Sequence, residues 1–248
     1  MKITFKKIIK ALMPYGLVMS IKRNKENKSL SLESKKEHFY SQDGEDIVLR
    51  TFYEMKHNYH GFYIDIGAHH PFRFSNTQWF YERGWHGINI DATPNSMDLF
   101  KKYREKDINL EIGVGDAEGE LDYYLFEEPA LNSFSKELSE ERIKDGWNLK
   151  EIKKIKIMGI NEILEKYVPV IDGGGIDFIS MDVEGFELKI IEKLNFDKYS
   201  PGFFLIEESD YCDKDFMGYK DSPVYKILKE KGYCVVAKTM RTVIYKKI

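Results

Sequence analysis

The sequence predicts an α/β fold built on a doubly wound, mostly parallel sheet that ends in an antiparallel hairpin. Beyond residue 36 of the 248-residue chain, short and nearly continuous apolar runs alternate with amphipathic segments. Continuous apolar runs are typical of strands covered on both faces, and their alternation with helices favours parallel pairing. The last two apolar runs are only a few residues apart, which permits a hairpin but not a crossover helix.

Five apolar runs are the expected parallel strands. They are "GFYIDIG" (61–67), "HGINID" (86–91), "INLEIGVG" (108–115), "GIDFISMD" (175–182) and "GFFLIEE" (202–208). Helices are expected at 41–55, 76–83, 95–104 and 185–194. The C-terminal hairpin pairs "YCVVAKT" (233–239) with "TVIYKK" (242–247). A mostly parallel sheet closed by one antiparallel hairpin resembles the class I methyltransferases, which use S-adenosylmethionine (SAM).

Charge divides the chain into a basic N-terminal arm and linker, residues 1–36, and a domain at 37–248. The arm holds nine Lys and one Arg against two Glu, a balance of +8, and the remainder carries −11. An acidic body argues against nucleic acid as a partner. Because the chain has only Cys212 and Cys234 and no CxxC motif, we expect a reducing, cytoplasmic location.

The arm has the pattern of a basic amphipathic helix. Phe5, Ile8 and Leu12 recur at helical spacing, and lysines fill the other side. The longest uncharged run in the arm has 11 residues, far fewer than the roughly 20 that span a bilayer. No small-residue cleavage site of a signal peptide follows it. Two interpretations stand: a helix lying on an anionic inner membrane face, or a terminal helix packed on the body or on a partner subunit.

The first predicted strand ends in a loop that starts like a dinucleotide motif and then departs from it. Asp65, Gly67 and Ala68 stand at its carboxyl end, where open parallel sheets bind ligands. A dinucleotide loop needs further glycines so that the backbone can approach a pyrophosphate, whereas His69 and His70 follow here. SAM has no phosphate, and a turn with one essential glycine suits it better. Asp65 either holds the cofactor's ammonium or orients and caps the turn.

Two more aspartates stand at predicted strand ends. Asp91 ends the second strand, where α/β cofactor folds bind ribose hydroxyls, and helix capping is the alternative. Asp116 follows "GVG" at the end of the third strand, where an adenine amino group would be held. A β-turn at "DAEG" is the competing interpretation of Asp116.

The ordered set of motifs resembles the FkbM family of SAM-dependent O-methyltransferases. The resemblance runs through "YSQDGEDIVL" (40–49), "IDIGAHHPFRFSNT" (64–77), "GWHGINIDATP" (84–94), "GVGDAEGEL" (113–121), "IDFISMDVEGFELKIIEKL" (176–194) and "LIEES" (205–209). The sequence departs from the family pattern in two places. His69 and His70 stand where many relatives carry smaller or polar residues, and Ser209 replaces a frequent histidine, whose role cannot be transferred.

The resemblance implies methyl transfer from SAM to a hydroxyl, often on a sugar or a polyketide-type natural product. An alcohol acceptor must lose a proton, so a base or a metal is expected beside it. Asp182, Glu184 and Glu207 stand at the ends of the fourth and fifth predicted strands and are the expected catalytic cluster. Asp182 and Glu207 are also the expected ligands if Mg²⁺ or Mn²⁺ is used, because oxygen-rich sites suit hard cations. Glu187 is expected on the surface.

The remaining expected site residues lie on loops. A histidine beside the cofactor loop is a candidate base because its ordinary pKa lies near neutrality, and stacking on the adenosine or hydrogen bonding to the loop are the alternatives. His70 is placed above His69 as the active-site residue. Gln42 and Asn76 complete the expected cofactor set. The segments 125–148 and 209–223 follow strand ends on the ligand side, where loops set acceptor specificity. Within these two segments, Trp147, Tyr211 and Phe216 are candidates for stacking on an acceptor.

The leading interpretation is a SAM-dependent O-methyltransferase that acts on a sugar or nucleotide-sugar in polysaccharide or natural-product biosynthesis. One alternative is an NAD-dependent sugar epimerase or dehydrogenase, against which the missing GxGxxG motif weighs. A second alternative is a non-catalytic, membrane-associated binding module with the same fold. We expect a small-molecule acceptor and a peripheral membrane contact through the arm.

Deleting residues 1–28 is predicted to leave methyl transfer intact and to reduce cosedimentation with anionic liposomes. Each basic residue near an anionic surface contributes about 1 kcal/mol to binding. The measurement compares the truncated and full chains on anionic and neutral liposomes. Equal binding by both chains would refute the membrane role, and an unfolded truncation would support a packed terminal helix instead.

Overall fold

The computed structural model describes residues 38–168, 175–212 and 215–248. The predicted arm, 1–36, lies outside the described residues. The described strands are β1 Phe62–Ile66, β2 His86–Asp91, β3 Ile108–Glu111, β4 Gly113–Gly115, β5 Gly119–Phe126, β6 Leu149–Gly159, β7 Phe178–Met181, β8 Phe203–Glu207, β9 Tyr233–Lys238 and β10 Thr242–Lys247. The described α-helices are α1 Glu45–Arg50, α2 Gln78–Tyr81, α3 Met97–Tyr103, α4 Lys136–Lys144, α5 Ile160–Tyr167, α6 Glu187–Lys193, α7 Ser209–Cys212 and α8 Pro223–Glu230. No described helix is both long enough and apolar enough to cross a membrane.

Seven strands form the main sheet, in the order β3-β2-β1-β7-β8-β10-β9. Strands β1, β2, β3, β7 and β8 pair in parallel, whereas β10 runs antiparallel to both β8 and β9. This order places the carboxyl ends of β1, β2, β7 and β8 side by side. The predicted α/β fold of the class I SAM methyltransferases, a mostly parallel sheet with antiparallel C-terminal strands, is confirmed.

The strands form where the sequence is apolar on both faces. Every residue of β1 and of β7 is buried. Ile64 of β1 lies between Ile88 of β2 and Ile179 of β7, and all three side chains are fully buried. Burying an aliphatic side chain of this size contributes about 1.5–3 kcal/mol, so the central strands anchor the sheet.

The third predicted strand is wrong in its extent. Residues 108–115 were expected as one strand, but β3 ends at Glu111 and β4 starts at Gly113. Strand β4 pairs with β6 in a second, three-stranded sheet of order β4-β6-β5. The chain changes sheets at Ile112, and β6, which is also paired with β5, provides the pairing that β4 would otherwise lack.

The first predicted helix is shorter than expected. Side-chain hydrogen bonds hold residues 41–44 in a bend: Ser41 Oγ donates to Asp46 Oδ1 at 2.6 Å and accepts from the Gly44 N–H at 3.1 Å. Gly44 has a φ of 92° and precedes α1. Serine and aspartate compete with helical backbone bonding in this way, so the segment stays a loop beside the sheet's carboxyl edge.

Candidate active site

A cavity of about 660 Å³ opens beyond the carboxyl ends of β1, β2, β7 and β8. This is where parallel α/β sheets bind their ligands. Of the expected catalytic and cofactor-binding residues, the following line it: Gln42, Asp65, Gly67, Ala68, Asn76, Asp91, Asp182, Glu184 and Glu207. The fold therefore brings nine expected residues to one cavity.

Gly67 makes the turn that follows β1. Its φ is 82°, a region that favours glycine. A Cβ at this position would lie 1.7 Å from the carbonyl oxygen of Asp182. The N–H groups of Gly67 and Ala68 both donate to the Ile90 carbonyl, at 2.9 and 3.0 Å. The loop is thereby held against β2 on one side and against the end of β7 on the other.

Asp65 and Asn76 form the floor beside this turn. Asp65 accepts a hydrogen bond from the Thr77 hydroxyl at 3.0 Å, and burial raises the pKa of Asp65 to about 6. Asn76 Nδ2 donates to Ser180 Oγ at 3.1 Å. Its Oδ1 is buried and has no hydrogen-bond partner among the described residues. Such an acceptor in the cavity wall fits the ammonium group of a bound cofactor.

Asp91 joins two loops at the end of β2. Its Oδ2 accepts from the His69 N–H at 2.8 Å, and its Oδ1 accepts from the Thr93 N–H at 2.7 Å. The helix capping given as the alternative is not seen: α3 begins at Met97 with Ser96 as its N-cap, and Asp91 instead holds the loops after β1 and β2. Each carboxylate oxygen keeps a second lone pair, so the side chain retains the capacity to accept from ribose hydroxyls.

Two expected site residues do not reach the cavity. Asp116 is exposed and lies outside the cavity lining, because β4 leaves the main sheet just before it. His70 also lies outside the lining: its Nδ1 accepts from the Phe72 and Arg73 N–H groups, at 3.1 and 3.0 Å. His69 lines the cavity instead, and burial lowers its pKa.

Three carboxylates converge beside the Gly67 turn. Asp182, Glu184 and Glu207 offer oxygens that all lie within 4.8 Å of one another. Although Asp182 faces the open cavity, enclosure by protein and the neighbouring Glu207 raise its pKa well above the ordinary value. Ser209 donates to Glu207 at 2.8 Å. Crowding of like charges around a carboxylate raises its affinity for a proton.

Glu187 is buried, and the expectation that it lies on the surface is wrong. Its two oxygens accept from the Val183 and Gly185 N–H groups, at 2.8 and 3.0 Å. Only 9% of the residue is exposed, and burial raises its pKa to about 8. Glu187 therefore ties the loop after β7 into the turn that presents Asp182 and Glu184.

Arg142 is a cavity residue that sequence reasoning missed. It lies on α4, donates to the Leu131 carbonyl at 2.6 Å and forms an ion pair with Glu184. Its side chain is only 13% exposed. The sequence indicated Arg142 only through its position within 125–148, a segment that was expected on the ligand side of the sheet. The pair connects that segment to the acidic loop.

The far end of the cavity is lined by loops from the N- and C-terminal parts of the domain. Arg241 in the β9–β10 turn donates to Asp43 at 2.9 Å. Gln42, the neighbour of Asp43 in the chain, also lines the cavity, and so does Tyr211, which backbone hydrogen bonds of Glu208 connect to Arg241. Trp147 and Phe216, two expected stacking residues, are exposed and lie outside the lining. Of the three aromatic candidates, the structure brings only Tyr211 to the cavity.

The residues present fit SAM better than they fit a metal ion. The glycine turn, the unpartnered Asn76 Oδ1 and the Asp91 carboxylate suit the amino acid and ribose parts of the cofactor. Carboxylate oxygens are the kind of ligand that a hard cation prefers. However, Glu184 is paired with Arg142, and Glu207 accepts from Ser209. The acidic cluster is thus partly satisfied within the protein, and no chemical step needs to be routed through a metal.

Replacing Asp91 with Ala is predicted to weaken binding of S-adenosylhomocysteine (SAH) about tenfold to a hundredfold. Losing a hydrogen bond to a charged group costs roughly 1.5–3 kcal/mol, and the two loops lose their shared acceptor. Isothermal titration measures the affinity, with Asp98→Ala, an exposed acid on α3, as the matched control. Unchanged SAH affinity in a folded Asp91→Ala protein would remove Asp91 from the cofactor site.

Solved methyltransferase structures share limited similarity with the chain. The FkbM methyltransferase of Methylobacillus flagellatus is 13% identical, with a TM-score of 0.44, and the match covers 84% of this chain and 48% of that one. Aeropyrum pernix fibrillarin with bound SAM is 12% identical, with a TM-score of 0.41 and coverage of 82% and 73%. A TehB-like SAM-dependent methyltransferase of Corynebacterium glutamicum is 10% identical, with a TM-score of 0.36 and coverage of 92% and 99%. The chain thus spans about half the length of the Methylobacillus protein.

The sequence, rather than these structural similarities, identifies the family of the chain. No curated protein sequence matches the chain. The model of the methyltransferase FkbM domain matches residues 65–235, a range that includes every strand from β2 to β8 and most of the cavity. This match separates the chain from the NAD-dependent alternative. The chain belongs to the FkbM family of SAM-dependent methyltransferases.

Proposed function

We propose that the chain is an O-methyltransferase that transfers the methyl group of SAM to a hydroxyl of a sugar or nucleotide-sugar. The observation that carries this proposal is the cluster of Asp182, Glu184 and Glu207 directly beside the Gly67 turn. A base at this place is what a hydroxyl acceptor requires, because a neutral alcohol is a weak nucleophile.

The chemistry is an in-line displacement at an activated carbon. An acceptor oxygen attacks the methyl carbon, the carbon–sulfur bond breaks, and its electron pair stays on sulfur to give SAH. The acceptor's proton passes to a carboxylate. Most of the catalytic task is alignment, and well-oriented proximity supplies roughly 7–11 kcal/mol. The walls formed by the loops after β1 and β7 would supply that alignment.

Asp182 is the proposed base. Enclosure and the neighbouring Glu207 raise its pKa, and a carboxylate with a raised pKa accepts a proton more readily. Glu184 is held by Arg142, which leaves Asp182 and Glu207 as the pair nearest to the acceptor. With the acidic oxygens already so placed, direct proton transfer from the acceptor to Asp182 needs no metal.

The far end of the cavity supports a sugar-like acceptor. Gln42, Tyr211 and the carboxylates line the cavity. Together they offer both hydrogen-bond donors and hydrogen-bond acceptors, which suits a polyol. A nucleotide-sugar would also bring phosphate to this end. Among the described residues, Arg241 is the cation that such a phosphate would meet there, in competition with Asp43.

We further propose that the reaction takes place at the inner membrane face. A cytoplasmic enzyme at the inner membrane face would meet the precursors of a surface glycan, and the +8 charge of the arm supports contact with anionic lipid. Membrane contact and acceptor choice are separate parts of the proposal. The liposome experiment tests the first, and acceptor assays test the second.

Replacing Asp182 with Asn is predicted to lower kcat by roughly a hundredfold or more, the usual range for losing a general base, while SAH affinity changes little. The assay follows transfer of labelled methyl from SAM to a panel of sugars, nucleotide-sugars and polysaccharide precursors. Asp197→Asn, an exposed acid remote from the cavity lining, is the matched control. Wild-type turnover by Asp182→Asn would discard the proposed base.

The same assay separates the remaining alternatives. Turnover that resists EDTA supports direct carboxylate chemistry, whereas loss that Mg²⁺ or Mn²⁺ restores would assign the cluster to a metal. Transfer to amines but not to hydroxyls would overturn O-methylation. No transfer to any acceptor by a protein that binds SAH would favour the non-catalytic binding module.

A further inference from the structure

One ion pair connects the two loops that face each other at the cofactor end of the cavity. Arg73 lies in the loop after β1, and Glu128 lies in the loop after β5. Arg73 Nη1 is 3.1 Å from Glu128 Oε1. Both loops line the cavity: the first contributes His69 and Phe74, and the second contributes Pro129–Leu131. The pair therefore joins two walls of the same space.

On its own loop, Arg73 completes a stack of three side chains. Its guanidinium carbon lies 4.4 Å from the Phe74 ring centre. The Phe74 and His69 rings are 6.1 Å apart with their planes 20° from parallel. His69 and Phe74 have positive φ values of 53° and 60°, a conformation that bulky residues seldom adopt without support from their surroundings. The stack and the ion pair supply such support.

On the other loop, Glu128 organises the turn that forms the opposite wall. It precedes the 3₁₀ turn Pro129–Leu131, and its Oε1 accepts from the Ala130 N–H at 3.3 Å. The hydrogen bond from Arg73 lowers the pKa of Glu128, so the side chain is ionised near neutral pH. The same carboxylate oxygen thus caps its own turn and binds the loop across the cavity.

The stack is also connected to the expected ribose ligand. The His69 N–H donates to Asp91 Oδ2, and Arg73 Nη1 lies 3.5 Å from His69 Nε2. Arg73, His69 and Asp91 therefore form a continuous chain of contacts from the rim to the end of β2. A change at the rim can alter the geometry at Asp91 without touching the cofactor.

We propose that Arg73 and Glu128 are positioning residues that latch the two loops around bound SAM. An isolated surface ion pair contributes little, and both side chains are partly exposed, at 47% and 38%. This pair differs because it restrains two loops that must be ordered when the cofactor binds. Holding them in place beforehand removes part of that ordering cost from the binding step. The latch would also slow release of SAH, since the walls must separate for it to leave.

The test is SAH binding, measured without any acceptor so that it does not depend on the proposed hydroxyl chemistry. Titration calorimetry and stopped-flow release compare the wild type with Arg73→Gln, Glu128→Gln, the double variant Arg73→Gln/Glu128→Gln and the charge swap Arg73→Glu/Glu128→Arg. The matched control is Glu165→Gln, which removes a surface ion pair of 2.7 Å with Lys198, outside the cavity lining.

Each single variant is expected to weaken SAH binding about threefold to tenfold and to speed its release, with unfolding temperatures unchanged. The double variant should lose no more than either single variant, because the pair acts as one unit. The charge swap should recover part of the affinity, and high salt should erase the difference from wild type. Wild-type affinity in both single variants, or additive losses in the double variant, would overturn the latch.

Discussion

The site depends on the close approach of two strand ends, Gly67 after β1 and Asp182 after β7. A side chain at Gly67 would collide with the Asp182 carbonyl, since a Cβ there would lie 1.7 Å from that oxygen. The Asp182 N–H donates to the Ile66 carbonyl at 3.0 Å, so backbone bonding extends β1 and β7 pairing up to the turn. One contact therefore places the cofactor loop against the acidic cluster. The positively charged sulfonium of SAM would lie beside acids that the backbone itself holds in position, which joins cofactor binding and proton removal in one space.

The parts of this arrangement that depend on local chain pattern could be predicted from the sequence. Continuous apolar runs located the five parallel strands, because a strand covered on both faces has no polar face. The observed bounds lie within three residues of the expected ones except where the third strand divides. Residues at strand ends, such as Asp65, Asp91 and Asp182, could be assigned to the cavity because parallel strands end at one edge. That inference needs the direction of each strand and no knowledge of loop conformation.

Positions set by long-range pairing could not be predicted in the same way. Asp116 was expected at the cavity because the apolar run before it looks continuous, but pairing with β6 draws β4 into a second sheet. Glu187 was expected on the surface because it lies one turn into its predicted helix, yet two loop N–H groups donate to its carboxylate. Arg142 and Arg73 act through partners 42 and 55 residues away in the chain. No spacing rule along the chain connects residues whose contact depends on two loops meeting in space.

The most direct test is a crystal structure of the protein with SAH. We expect the amino acid part of SAH to lie on the Gly67 turn and the ribose hydroxyls to meet Asp91. We expect the sulfur to face Asp182 and Glu207 across a space large enough for a hydroxyl group. A bound SAH whose sulfur points away from both carboxylates would contradict the proposed chemistry, because the acids could not then take a proton from an acceptor aligned with the methyl group.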